Sequence, residues 1–565
     1  MKKINFLLLV LAMLCHTNND AQGVSQTIGG GNMLAKVSNK GTLIDSILVF
    51  DPNTSLTTTA LNDYSIWLGG LDPAGNLLLA LQSKDALQND FLGGFRNRPG
   101  SDKVWKVTDD EVRQHLADFE LDQVVDNPIP SIFSWPANGN QFSQSLNGFS
   151  TDGLAEEQGA PFLDRNFNKI YEPHLGEYPA QDLDVRYLYE QANYSELVFA
   201  PFYTKPLVAG AYRPRIPVSG STLLVAYHCQ ESFFLSNTLF GRIRLHYERD
   251  EDINSLSVGF LTDIRAGNGH NDFMGSDVAK GMFYCYDGDS LDTAFGGKSP
   301  MFGVASYTMS SAFEPFAAGS YVPPIGMMPM NIKYDGFIDP RTSFPELPAE
   351  IYYYLTGSWR DGTPLTSGGS GLNDGSINFV DSAFPGKLDN PNEWSEISAQ
   401  NQPGKRAFLL RYTAHEIPAC STKCRRESTN FAFFNVPSGN TPVAQKIQMD
   451  SLSKWTSEWY NFHGFPSLWA NAPCLDPLTN TNNPISNNPQ VKVYPNPVQN
   501  ILHLDFGAIT PNWVSLLDIT SRHVRAVQPS APVFDMDVSE LPIGVYLLHW
   551  HNESNVGSRV VVVGR

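Results

Sequence analysis

Between residues 24 and 474 the apolar positions come in short runs, not at helical spacing. Leu197 to Tyr203, Ser221 to His228, Arg242 to Tyr247 and Ser257 to Leu261 are rich in Val, Ile, Leu, Tyr and Phe, and turn-forming residues separate them. That rhythm predicts strands. The expected fold class is mainly β: a large β-sandwich or jelly-roll-like region with long loops and few helices. Two segments break the rhythm. Thr108 to Leu116 opens with Thr108 and Glu111 at capping-box spacing. Gln445 to Phe462 places Leu452, Trp455 and Trp459 on one helical face. Tyr352, Tyr353, Tyr354 and Trp359 are able to stack on sugar rings, but at strand spacing they read as core or sheet-face residues. No repeat of 20 to 50 residues is visible.

The pattern changes at Leu475. From there to Gln490, Asn, Thr, Pro and Ser crowd together with almost no large apolar residue, which predicts a linker. Short apolar runs resume at Val491 to Pro497, Ile501 to Phe506, Trp513 to Ile519, Val533 to Val538, Val545 to Trp550 and Arg559 to Val563. Six or seven strands in so short a stretch predict a small C-terminal β-sandwich. At the other end, Lys2 and Lys3 precede an apolar run from Phe6 to Cys15, and Ala21 stands before Gln22. This is the pattern of a secretory signal peptide, and the run is too short for a bilayer span. Leu14 sits where a lipobox needs a small residue, which argues against a lipid anchor on Cys15. The expected organisation is a signal peptide at 1–21, a large β-rich secreted region at 22–474 with room for two subdomains, a linker at 475–490 and a small module at 491–565.

Charge narrows the partners. The chain carries a formal net charge of -19, and loss of residues 1–21 removes Lys2, Lys3 and Asp20, taking it to about -20. Such a protein repels nucleic acid and anionic lipid, and no basic patch with interleaved aromatics opposes that reading. No later stretch is long and apolar enough for a transmembrane helix. Five cysteines remain after cleavage: Cys229, Cys285, Cys420, Cys424 and Cys474. An exported protein is permitted disulfides, but this density is too low for a disulfide scaffold. Cys420 and Cys424 lack the spacing and the second ligand pair of a zinc site.

Acidic, Asn-rich loops in an exported protein suit calcium. The strongest candidate is Asp164-Arg-Asn166-Phe-Asn168-Lys-Ile170-Tyr-Glu172. Side-chain oxygens at positions 1, 3, 5 and 9, with the Ile170 carbonyl at 7, are what a curving loop needs to wrap one ion. Lys169 replaces the usual turn glycine and position 12 is Leu175, so a further acid must come from Glu177, Asp182 or elsewhere. The plain alternative is a polar turn without metal. Two other oxygen-rich stretches are Asp263, Asn268, Asn271, Asp272, Asp277 and Asp287, Asp289, Asp292. Their spacing gives no ligand order.

Catalytic templates are missing. His415-Glu416 does not continue as HExxH, no Gly-x-Ser-x-Gly elbow occurs, and no phosphate or dinucleotide fingerprint follows a strand. Ser367 to Gly371 reads as a flexible loop. Paired carboxylates for glycoside hydrolysis are spatial and leave no linear signature.

The C-terminal module has a specific resemblance. Tyr494-Pro495-Asn496-Pro497-Val498, Leu517 to Arg522, Leu541-Pro542-Ile543-Gly544-Val545-Tyr546-Leu547 and Arg559 to Val562 resemble, in order, the blocks of the type A sorting domain of the type IX secretion system. Ser521 stands where Gly is usual, and Gly564-Arg565 replaces the usual closing lysine. The resemblance implies handling by the type IX secretion machinery of a Bacteroidetes-type bacterium and passage through the periplasm. It also implies removal of the module, and attachment to surface lipopolysaccharide or release. Blocks in the large region resemble uncharacterised large cargo proteins of the same system: Ile66 to Asp72, Val104 to Thr108, Asp126 to Pro130, Asp164 to Pro179 and Trp359 to Thr366. They supply no chemistry. Two functions follow as expectations: a calcium-braced, non-enzymatic binding or adhesion protein recognising a glycan or a host or cell-surface ligand, or a secreted hydrolase acting on polysaccharide.

Overall fold

The computed structural model describes residues 22–461 and 492–564, apart from 41, 51–56, 84–88, 155–157, 182–193, 207–214, 230–231, 289–298, 308, 314–319, 323, 332–338, 373–374, 376, 420–423, 438–440, 496–497, 508–509, 512, 518–522, 543 and 552–555. The expected signal peptide and linker lie outside the described residues. The chain divides into two compact units, Met1–Ser467 and Leu468–Arg565.

The first unit is mainly β, as the short apolar runs predict. Among the described residues it has one sheet of twelve strands and one of eight. The larger runs through Glu196–Thr204, Val218–Ala226, Thr238–Tyr247, Arg425–Val436, Met301–Ser306 and Met282–Asp287, and ends on Asp272–Asp277. The smaller is centred on Thr57–Leu71, Ile253–Ile264 and Arg406–Ile417. Both give alternate side chains to one core. Phe202, Leu224, Ile243 and Phe433 come from the first sheet; Ile66, Val258, Met328 and Leu410 come from the second. The side-chain period of two in a strand makes this possible, and it fixes the register.

The helices show how local chemistry sets the ends. Asp109–Asp122 starts where the sequence predicts. The Thr108 hydroxyl accepts the Glu111 N–H at 3.3 Å, and the Glu111 carboxylate accepts the Thr108 N–H at 2.8 Å. Asp109, Asp110 and Glu111 in the first turn also complement the helix dipole. The helix continues past Leu116 because Phe119 is buried as well. Pro442–Asn461 buries Met449 and Leu452, and Trp455 packs edge-on against Phe234 with ring centroids 5.7 Å apart. The Trp459 side chain and Phe462 lie outside the described residues.

One expectation is corrected. Tyr352, Tyr353 and Tyr354 are not on a strand; they belong to the helix Pro348–Thr356. Pro348 stands in its first turn, the Glu350 carboxylate accepts the N–H groups of Glu346 and Leu347 at 2.8 and 2.9 Å, and Gly357 ends it at φ +90°. Ile351, Tyr354 and Leu355 face the core at helical spacing. The helix approaches the sheet where Gly69 and Gly259 leave room: a Cβ on either would stand 2.7 Å from a Leu355 methyl.

The last strand of the larger sheet, Asp272–Asp277, has its outer backbone groups occupied. Asp272 exchanges hydrogen bonds with Gly404 at 3.2 and 3.0 Å, Met274 donates its N–H to the buried Glu396 carboxylate, and Ser276 donates its N–H to the Phe384 carbonyl at 3.1 Å. Glu396 is itself held by Arg406 at 3.0 Å. Cys229 and Cys424 each take part in a disulfide, and Cys285 is a buried free thiol. No helix among the described residues is long and apolar enough to cross a membrane.

The second unit has a three-stranded sheet, Lys492–Tyr494, Ile501–Asp505 and Val533–Asp537, and a four-stranded one, His523–Val527, Trp513–Leu517, Gly544–His551 and Val556–Val563. Their inward residues make one small core, including Val498, Leu502, Leu516, Met536, Leu541, Tyr546, Leu548 and Val563. His523–Val527 was not expected as a strand. Its arginine and histidine interrupt the apolar pattern, and it is held by pairing with Val514–Leu517 across an irregular register.

Candidate functional site

The candidate loop is closed at its base by an antiparallel bridge between Phe162 and Pro179 and by Leu163 N–H donating to Tyr178 O at 2.9 Å. Between these points the chain wraps around its own polar side chains. The Asp164 carboxylate accepts the N–H groups of Asn168 and Lys169 at 3.2 and 2.8 Å. Asn166 Oδ1 accepts the Asn168 N–H at 3.1 Å, and Asn168 Oδ1 accepts the Ile170 N–H at 2.7 Å. Lys169, at the position where glycine is usual, adopts φ +64°, and Phe167 adopts φ +60°. The left-handed turn is therefore made without glycine, at the steric cost such residues carry.

Glu172 gathers the two amides: Asn166 and Asn168 donate their Nδ2 groups to its Oε2 at 2.8 and 2.7 Å. Asp164, Asn166, Asn168, Ile170 and Glu172 are thus brought together in one loop. Leu175 points to solvent. Of the acids the sequence offered to complete the set, Asp182 lies outside the described residues, and Glu177 is in place. Fully buried, it accepts the Arg165 N–H at 3.1 Å and the Glu172 N–H at 2.7 Å. Among the described residues no three His, Cys, Asp or Glu side chains converge as a ready metal cluster. Any ion here would draw on amide and carbonyl oxygen too, as calcium does.

Glu177 and His115 both lie under the loop, joined through the Glu177 backbone carbonyl, and each is shifted from its ordinary range. Burial, ahead of two backbone hydrogen bonds that oppose it, lifts Glu177 to about 7, with Asp164 and Glu172 adding to the rise. His115 Nε2 lies 3.0 Å from the Glu177 carbonyl. A carbonyl only accepts, so Nε2 carries the proton, and buried Nδ1 has no partner. Burial lowers His115 to about 4. Acidification pulls these groups in opposite directions. The folded protein protonates Glu177 before the unfolded chain does, which favours folding as pH falls from about 7 to the ordinary glutamate value near 4.5. It protonates His115 only after the unfolded chain has, which disfavours folding as pH falls from 6.5 to about 4. Urea titrations in chelator should show it. Relative to wild type, His115→Gln gains stability between pH 6.5 and 4.5 and Glu177→Gln loses it, each on the order of 1 kcal/mol per pH unit. Parallel pH profiles for all three proteins would contradict both shifts.

The second oxygen-rich stretch is divided between two strands, Ile253–Ile264 and Asp272–Asp277, and the turn that joins them. Asp263 lies on a strand and accepts from Asn62 at 3.2 Å; Asp277 is paired with Lys280 at 2.7 Å and Lys446 at 3.4 Å. Asp289 and Asp292 lie outside the described residues. The aromatic candidates do not form a platform: Tyr354 and Trp359 are buried.

In the second unit the sorting-motif residues separate by burial. Val498, Leu541 and Tyr546 are core, and the Tyr546 hydroxyl donates to Pro542 O at 2.8 Å. Val498 bridges Val563, joining the first block to the last, and Gly564 N–H donates to Val498 O at 2.9 Å. Gly544 opens the strand Gly544–His551. Tyr494 is 51% exposed, its ring tilted against His503 with centroids 5.5 Å apart, beside exposed Pro495. Asn496 and Pro497 lie outside the described residues.

Residues 492–564 match the family model of the secretion system C-terminal sorting domain. The chain is therefore a cargo of the type IX secretion system carrying a C-terminal sorting domain, a secreted or cell-surface protein handled by that machinery. A comparison of the chain with curated proteins finds no match.

Proposed function

We propose that the large unit is a calcium-braced, non-enzymatic binding or adhesion protein, displayed on the cell surface or released, with lipopolysaccharide as its anchor where it is retained and a glycan or cell-surface molecule as its ligand. The observation that supports the bracing is the 164–177 loop. Its backbone curls around oxygens at positions 1, 3 and 5, its left-handed sixth residue completes the turn, and a buried acid lies beneath. Asp164 and Glu172 contribute two formal charges, so affinity is modest. Calcium is often millimolar outside cells, and modest affinity suffices there.

A ligand that binds only the folded state stabilises it by about 2.7 kcal/mol at a hundredfold over Kd. Chelation is expected to lower the melting temperature of the mature protein by about a few degrees. Asp164→Ala should remove most of that response and leave the fold intact, since no core is opened. Identical wild-type melting in calcium and in chelator would make the loop an ordinary turn. A glycan-array screen run beside hydrolysis assays tests the ligand class. Retention of glycans without cleavage is expected, and release of reducing ends would favour the polysaccharide hydrolase.

A further inference from the structure

Two acidic stretches that are distant in the sequence meet at the edge of the larger sheet. Asp272–Asp277 pairs with Met282–Asp287 in a register that sets Asp272 directly opposite Asp287. Opposite residues of an antiparallel pair share a face, with Cβ atoms about 5 Å apart. Asp272 is fully buried. Its Oδ2 accepts one backbone N–H, from Ala266, at 3.2 Å. Its Oδ1 is buried and meets no N–H or O–H donor, and the buried Cys285 thiol is the weak donor beside the carboxyl. Asn271 Oδ1 is likewise buried without a partner, while Asn271 Nδ2 donates to Asp287 Oδ1 at 3.1 Å. The Ser299 hydroxyl donates to Asp287 Oδ2 at 2.8 Å.

Among the described residues, the side-chain cation whose charge reaches Asp272 is Arg406. Arg406 is committed to Glu396 at 3.0 Å and to the Gln402 carbonyl at 2.6 Å. A buried carboxylate oxygen with no N–H or O–H donor, facing a second carboxylate, is costly unless something positive sits against it. The 164–177 loop differs, because its side-chain oxygens already accept backbone N–H groups. Here two oxygens are left over, and both belong to residues beside Asp287.

We propose that Asp272 Oδ1, Asn271 Oδ1 and the Asp287 carboxylate hold a hard divalent cation of the calcium class, separate from the 164–177 loop. All three groups are oxygen donors, as such an ion prefers, with water to complete its shell. The ion would tie the start of Asp272–Asp277 to the end of Met282–Asp287 at the margin of the sheet. The competing explanation is that Asp272 holds only a proton.

Equilibrium dialysis of the mature protein against calcium, counting ions per chain, decides between them. Asp272→Asn is nearly isosteric and is expected to lose one ion per chain. Asp287→Asn, on the half-buried rim, should lose the same ion, and it carries the test if Asp272→Asn fails to fold by near-ultraviolet circular dichroism. An ion count equal to wild type in whichever of these variants is folded overturns the proposal. Asp164→Ala separates this site from the loop. If it alone abolishes all binding, this proposal falls and the loop reading stands. If it loses nothing while Asp272→Asn loses an ion, the loop reading falls and this one stands.

Discussion

Deleting residues 491–565 is expected to abolish delivery of the protein to the surface or medium and to leave the large unit inside the outer membrane. The expectation rests on the sorting-domain match and on how the module is built. Its blocks converge on one core: Val498 bridges Val563, and Leu541 and Tyr546 pack inside. So small a domain has little stability to spare. Leu541→Ala should cost about 2–5 kcal/mol, enough to unfold much of the module and imitate the deletion. Tyr494→Ala should leave the fold intact, because that ring is half exposed and outside the core. Immunoblots of medium, surface and periplasmic fractions report the outcome. Normal delivery of the truncated protein would contradict it. An export defect in folded Tyr494→Ala would mark that outer face as what the machinery reads.

The second large effect is expected at the buried pair of Arg406 and Glu396. The two side chains are 10% and 2% exposed and meet at 3.0 Å. Burial lifts the Glu396 carboxyl above its ordinary range, and Arg406 pulls it back. Arg406→Leu strands the carboxylate in the interior, and such a break typically costs about 3–5 kcal/mol. The double variant Arg406→Leu with Glu396→Gln should recover most of the loss, since no charge is left uncompensated. The defect should also depend on pH. Without Arg406 the folded state prefers Glu396 protonated, so the single variant is least impaired in acid and loses stability as pH rises. Urea unfolding at two pH values on the three proteins tests this. Equal destabilisation in the single and double variants would show that packing, not charge, decides.

The sheet framework was legible in the sequence because strands buried on both faces leave continuous apolar runs, as at Glu196–Thr204 and Ile253–Ile264. The cap at Thr108 was legible because its chemistry is local. Two elements were not. Ile351, Tyr354 and Leu355 carry a helical period too short to stand out against three consecutive β-favouring tyrosines. His523–Val527 hides behind polar residues because its place comes from its neighbour. The candidate loop was visible as a spacing of oxygens, and the sequence had offered Glu177 as one completing acid, but its burial under the loop and its partnership with His115 come from segments far apart in the chain. The meeting of Asp272 with Asp287 depends on strand register, which no linear spacing encodes.

The occupied margin of the larger sheet has a consequence for life outside the cell. An open strand edge is a template on which another copy can add, and it invites fibrous self-association. Along Asp272–Asp277 the outward positions at 272, 274 and 276 are taken by Gly404, Glu396 and Phe384. A secreted or cell-surface protein must keep such edges apart by its own structure. The segment from Phe384 to Gly404 thus works as a built-in guard against polymerisation. Shortening it is expected to leave a protein that aggregates while still folded.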